Sequence, residues 1–447
     1  MWRAYRQIIQ YLRWRTVPQG SCYKAAANPG VALQLRLNGW HTSELANPLA
    51  EMGPARARIS FAWAALALSI LLLWQFLTVR YNWGGNWTAL FCTGQAEPIP
   101  PALQTKTYRF PNSTGYDGQM YRYVAHDPLR SRGYQHYVDA PRLRYRRILV
   151  PGLAFAFAGG QQDLIDQSYI AVTAMFVLLG AYWLSRWATL NELHAAWGLA
   201  FLLLPATLIS MDRMTVDGSL AALSVAFAYF LKTRSTAKLY VVLVLACLVR
   251  ETGVLLVGGC CISELVFRRF TRAALWGTAC LPALAWYWFL DTQAQASAGI
   301  AAPRWFLKKF GFGLIGRLFD PPRYPLSSTL EWIARSADVV ALAGILCALI
   351  VATVLLRVRP LSPITITAGL YVALAIMMTS TRYWNSCYTY SRAFSPLLIF
   401  IALETASLRL PTRAWRWGLV PMVLVDLRIG LQMGPQLAGV VRGLSGH

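Results

Sequence analysis

The sequence predicts an all-α polytopic membrane protein, with about eleven transmembrane helices and one helix that enters the bilayer without crossing it. Three observations carry this. Hydrophobic residues make up 56% of the 447-residue chain and charged residues 14%, whereas soluble domains average about 45–50% and about 25%. Apolar runs close to the roughly 17–25 residues that span hydrocarbon recur along the chain. Basic residues cluster in alternate gaps between those runs, as loops on the cytoplasmic face of a membrane do.

The apolar runs occupy 60–79, 168–187, 196–211, 217–231, 239–249, 253–267, 273–290, 338–356, 363–380, 394–408 and 415–431. Arg56 and Arg58 precede the first. The later clusters are Arg186, then Lys232, Arg234 and Lys238, then Arg268, Arg269 and Arg272, then Arg357 and Arg359, then Arg409, Arg413 and Arg416. The positive-inside rule places all of them in the cytoplasm. The alternation holds only if 148–160 does not cross. Its 13 residues rise only about 20 Å as a helix, against about 30 Å of hydrocarbon, which suits a re-entrant or interfacial segment. Counting it as a span would invert every later loop.

The chain then divides into 1–58, a transmembrane domain over 59–431 and an extracytoplasmic tail at 432–447. Residues 1–51 are polar and offer no spanning run, and Met52-Gly-Pro-Ala-Arg-Ala-Arg leads directly into the first apolar helix. The segment therefore reads as a cytoplasmic tail or as an extension upstream of a start at Met52. No cleavable signal peptide is visible. The extracytoplasmic segments are the long loop 80–147, the loop 291–337 with an amphipathic patch at 305–319, the short loop 381–393, and turns at 212–217 and 250–251. The first is exempt from the charge rule by its length.

The net charge of +23 does not imply nucleic acid, because the basic residues are spread among short inter-helix clusters instead of forming one soluble face. The eight cysteines show no metal-ligand spacing, and most lie inside apolar runs as small hydrophobes. Cys92 and Cys387 both fall in extracytoplasmic loops, where a disulfide is allowed.

Charged residues at membrane depth are costly and mark a site or a structural pair. Arg250 and Glu251 split one long apolar stretch into two short pieces; either they neutralise each other, or Arg250 points at an anionic ligand and Glu251 orients it. Asp212 and Arg213 are within pairing reach, and Asp217 stands where a helix N-cap would. Arg382 and Arg392 flank an aromatic loop with Tyr383, Trp384, Tyr388 and Tyr390. Such rings form interfacial belts or stack on sugar faces.

The densest constellation is Gly115-Tyr116-Asp117-Gly118-Gln119-Met120-Tyr121, followed by His126-Asp127-Pro128 and by Asp139-Ala-Pro-Arg142-Leu-Arg144-Tyr-Arg146-Arg147. The glycines let the backbone bend and bring the Asp117 carboxylate to a ligand as a general base, with Tyr116 and Gln119 beside it. Arg142, Arg146 and Arg147 belong to an alternating basic run. In extended backbone it would aim several guanidiniums at one phosphate, or else it anchors the chain to lipid headgroups.

These residues resemble those of the bacterial multi-spanning proteins of the GT-C glycosyltransferase superfamily, in particular members linked to cell-surface glycopolymers. The resemblance extends through Asp212-Arg213, Arg250-Glu251-Thr252 and Tyr390-Ser-Arg392. It implies a sugar transferred from a polyprenyl-phosphate donor to a cell-envelope glycan or lipid-linked acceptor. The reaction would take place at the outer face of the bacterial inner membrane, with Asp117 as the first-loop acid. Many members carry paired acids in that loop, and this chain has Asp117 beside Tyr116. A lipid monophosphate leaving group whose charge is met by arginines needs no metal clamp, so no cofactor is required, although a divalent metal is compatible. A single displacement would invert the sugar. The competing classes are a transporter or flippase of a lipid-linked sugar or anionic solute, suggested by the interrupted helices, and a non-catalytic assembly partner. No internal repeat links the two halves, and the titratable first loop favours an enzyme.

Reporter fusions at Ser235 and Ser386 test the side assignment. Ser235 should report the cytoplasm and Ser386 the opposite face, and a shared side would sink the topology.

Overall fold

The computed structural model describes residues 54–294, 312–408 and 417–445. The 1–53 segment, most of the 305–319 patch and the Arg409, Arg413 and Arg416 cluster lie outside the described residues, as does the Arg382 side chain. Among the described residues there are sixteen α-helices and no β-strand. In chain order they are α1 (Pro54–Asn82), α2 (Asp117–His126), α3 (Pro141–Arg146), α4 (Leu149–Phe157), α5 (Ile165–Leu190), α6 (Pro205–Arg213), α7 (Asp217–Lys232) and α8 (Thr236–Val249). There follow α9 (Val254–Val266), α10 (Phe270–Gly277), α11 (Leu281–Ala294), α12 (Phe312–Phe319), α13 (Ser328–Val358), α14 (Pro363–Met377), α15 (Cys387–Ser407) and α16 (Val420–Ser445).

Two helices form the centre. Every residue of α7 from Asp217 to Phe230 is buried, and so is most of α15. A helix apolar all round has no face to give to water and must be enclosed by other helices or by lipid. Accordingly α7 packs against α5, α6, α8 and α15, while α1 covers α5 and α13 pairs with α16. The outer helices keep large apolar side chains on the surface: Ile59, Phe61, Leu73 and Phe76 on α1, Trp288 on α11, Ile350 on α13. Such a skin fits a bilayer, not water.

The count of eleven spans is not supported. Four helical stretches are long and apolar enough to cross a membrane: Ala55–Asn82, Gln162–Leu190, Phe270–Gln293 and Ser328–Val358. A fifth is possible if Ala195–Leu203 and Pro205–Arg213, bent by 60° at a break, act as one. The reason is physical. Apolar runs mark burial, and burial among helices leaves the same signature as burial in lipid. The α8 helix has 14 residues and α14 has 15, so each rises only about 21–23 Å. Residues 148–160 do not cross by themselves: α4 has nine residues, a rise of about 14 Å, and the chain then turns at Gly159 and Gly160, both with positive φ.

The helices nonetheless sort their loops to two ends. At one end Lys232 donates to the Asn191 side chain, Ser407 reaches Asn191 at 3.4 Å, and Arg359 pairs with Glu404 at 3.0 Å. These loops carry several of the basic clusters. At the other end the 80–147 loop meets the 212–217 and 250–251 turns and the start of α15.

Candidate functional site

The site is assembled around the amino-terminal turn of α2. Gly115 has φ of 77°, and a side-chain carbon there would lie 2.5 Å from the Gly94 nitrogen. At Gly118 it would lie 2.0 Å from the Arg213 carbonyl oxygen. The glycines around Tyr116-Asp117 are thus required by close backbone approach, which seats Asp117 against the 213 turn. Gln119 completes the seating: its amide donates to the Thr114 carbonyl at 2.9 Å and accepts from the Gly94 N–H at 3.1 Å. Its side chain clamps the loop.

Asp117 is held from two sides. Arg144 Nη2 donates to its Oδ1 at 2.8 Å, and Arg392 Nη2 donates to its Oδ2. Arg144 also grips Asp139 with a two-pronged contact of 2.9 and 2.7 Å. The network extends through Tyr121, whose hydroxyl accepts from Arg147 at 2.7 Å and from Arg144 at 3.3 Å. Arg147 continues to Glu251 at 3.1 Å. On the far side Arg392 lies 3.4 Å from Asp217, which pairs with Arg250. Arg213 pairs with Asp212 at 2.8 Å and touches the Cys92 sulfur at 2.7 Å. Tyr116 sits between two cations, with Arg392 at 5.0 Å and Arg213 at 6.0 Å from its ring centre.

Four arginines (Arg144, Arg147, Arg250, Arg392) face four carboxylates (Asp117, Asp139, Asp217, Glu251), so the network is neutral as a unit. Burial disfavours the Asp117 anion, but Arg392 and Arg144 together outweigh it and hold the carboxyl well below the usual range. Burial also pushes the Tyr121 phenol up, yet Arg147 and Arg144 bring it below its ordinary value. Several buried polar atoms have no partner here: Tyr116 and Tyr383 hydroxyls, Thr252 Oγ1, and the Nε atoms of Arg250 and Arg392. Buried donors are normally satisfied, so these atoms mark a place for a polar ligand or water. Among the described residues no group of three His, Cys, Asp or Glu side chains is placed to hold a metal ion.

The geometry brings together Asp117, Tyr116, Arg147, Asp212, Arg213, Arg250, Glu251 and Arg392, and it revises several expectations. Arg250 and Glu251 do not pair; each takes a partner from a distant segment. Asp217 does not cap α7, since Val216 holds that position. The basic run is not extended: 141–146 is helical, which turns Arg144 and Arg147 inward together and leaves Arg142 and Arg146 outside, 3.9 and 3.8 Å from Asp291. Cys92 and Cys387 are free thiols. The aromatic loop is neither belt nor open platform. Trp384 is buried and stacked on Phe394, with Tyr390 packed beside it. Arg144 belongs to the basic run expected to meet a phosphate or lipid headgroups, while Tyr121 and Asp139 stand in the constellation with no role assigned to them. Pro141, a residue favoured at the first helical position, was the available signal that the run is a helix.

No known protein family, curated protein or solved structure matches the chain.

The network makes a graded prediction for Arg→Lys changes. Lys keeps the charge and loses the fork. Arg144→Lys and Arg147→Lys should each cost about 1.5–3 kcal/mol, the worth of a charge-assisted hydrogen bond, and visibly lower the melting temperature. Arg142→Lys and Arg146→Lys should stay within about 0.5 kcal/mol. Equal losses at all four positions, by thermal unfolding in detergent, would rule out the inward–outward division.

Proposed function

We propose that the chain is a membrane glycosyltransferase of the GT-C type. It would move a sugar from a polyprenyl-phosphate donor to a cell-envelope glycan or lipid-linked acceptor at the outer face of the bacterial inner membrane. The observation that carries the reading is the buried network itself: a carboxylate between two guanidiniums, surrounded by polar atoms that lack partners. A second feature supports a lipid-linked substrate. An apolar groove of about 670 Å³ is lined by Ile70, Trp74, Trp197, Leu203 and Leu208, and its lining includes Met211, the residue before Asp212. A prenyl chain lying there would present its phosphate near Arg213 and the rest of the network.

The chemistry follows from the charges. The acceptor hydroxyl oxygen attacks the anomeric carbon and its proton passes to Asp117. The bond from that carbon to the phosphate oxygen breaks, and polyprenyl phosphate leaves with the electron pair. The sugar is inverted. While Arg144 and Arg392 both hold Asp117, its carboxylate is a weak base. A donor phosphate competes for the same guanidiniums, and as it draws them the carboxylate recovers its proton affinity. The base would thus become active only when the donor is bound. Tyr116, whose ring lies near the Arg392 and Arg213 guanidiniums, would position the leaving group.

Asp117→Asn retains the shape and removes the proton acceptor. Transfer from a polyprenyl-phosphate sugar should fall by about 10²–10⁴, while the purified variant still binds donor. A near-normal rate would remove Asp117 from the chemistry. Net flipping of the lipid-linked sugar in liposomes, with no glycoside product from the parent protein, would favour a transporter instead.

A further inference from the structure

The α2 helix has a second polar face. Arg122 follows Asp117 by five residues, which turns it about 140° around the helix and carries it about 8 Å along the axis. His126, four residues later, falls on the same face as Arg122. Both side chains are almost wholly buried. They meet Asp166 at the start of α5: Arg122 makes a two-pronged contact of 2.8 and 2.7 Å, and His126 Nε2 lies 3.0 Å from the same carboxylate. Arg122 also donates to Thr107 at 2.7 Å, and His126 Nδ1 lies 2.9 Å from the Gln162 side-chain oxygen.

This cluster forms the floor of a cavity of about 480 Å³, separate from the Asp117 network. Trp87, 39% exposed, provides an aromatic wall, and Leu103 and Ile170 continue it as an apolar surface. Gln167 and Arg132 stand at the edge, with a Lys106–Asp163 pair of 2.6 Å beside them. The floor charges are paired. A charged ligand seated on the floor would have to break one of those pairs, at the cost of leaving a buried charge alone, whereas the Arg132 guanidinium meets only the exposed rim. Hydroxyl groups differ, because each both donates and accepts. They can bridge a paired carboxylate, a guanidinium edge and an amide without displacing any of them. A ligand with an apolar face for Trp87 and a ring of hydroxyls for planar polar side chains is a sugar.

We propose that this cavity binds a saccharide unit of the acceptor glycan, with α2 as the shared wall between it and the reacting centre. The pocket would then select a glycan over a simple lipid alcohol as acceptor, and it would act through uniform binding instead of chemistry. The identity of the ligand as acceptor rests on the glycosyltransferase reading; the pocket's affinity for sugar does not.

The full chain in lipid nanodiscs, probed by saturation-transfer NMR with methyl glycosides of common hexoses and pentoses, gives the direct test. At least one glycoside should show transfer to its ring protons, abolished by Trp87→Ala and weakened by Gln167→Ala, with Arg142→Lys as an unaffected control. No transfer with any glycoside, or signals unchanged in both pocket variants, would overturn the proposal. In a transfer assay Gln167→Ala should raise the acceptor KM about tenfold and leave kcat within about twofold. Glycoside binding without any transfer activity would sink the enzyme reading and leave the pocket standing. Transfer with unchanged KM and no glycoside binding would do the reverse.

Discussion

The pairing of Asp117 with Arg144 on one side and Arg392 on the other ties the outer loop to the helical core. Arg392 sits one turn into α15, which is buried along most of its length, and Asp117 opens α2, the buried helix of the long first loop. Much of the network radiates from this junction, because Arg144 brings Asp139 and Tyr121, and Arg392 brings Asp217 and through it Arg250. Removing one member of such a buried set leaves its partner charged and dry, a loss of about 3–5 kcal/mol. The loop is therefore fixed to the bundle by these ion pairs as well as by the packing of Leu90, Phe91, Tyr121 and Ala125 into the core, and Gly118 is the steric condition that lets it approach.

Balance is the second constraint. Four guanidiniums facing four carboxylates have no net charge to attract an anion from a distance, so the network does not act as an open phosphate clamp. In the proposed mechanism it acts as a set of pairs that can be exchanged. A phosphate entering beside Arg392 or Arg250 gains only what it takes from Asp117 or Asp217, and whatever it takes frees a carboxylate. That exchange gives a physical link between donor binding and base strength in the proposed mechanism, with no moving lid. On the other face of the same helix Arg122 and His126 are satisfied by Asp166, and so are insulated from that exchange.

Helical geometry explains where the residue reading went astray. In a strand, alternate arginines share a face; in a helix begun by Pro141, residues three and four apart do. Arg144 and Arg147 consequently enter the network while Arg142 and Arg146 stay with Asp291 at the surface. The span count failed for a related reason. Hydropathy records that a side chain leaves water without recording whether lipid or another helix receives it. The α7 helix is the clearest case, being apolar all round and enclosed by neighbours.

The sequence by itself determined the all-α character, an apolar exterior suited to a membrane, and the segments that would gather at one end. It did so because composition and the spacing of charged turns are local properties written in the order of residues. The 115–121, 212–217, 250–251 and 390–392 segments, marked by their charges within an apolar chain, are the ones that meet. Only the tertiary structure decided the partners. Arg250 with Asp217, Glu251 with Arg147 and Asp117 with Arg392 are separated by 33, 104 and 275 positions, and nothing in a neighbouring residue announces them. A charge can be read from the sequence, but which opposite charge neutralises it depends on which helix ends arrive together, and that is settled by packing.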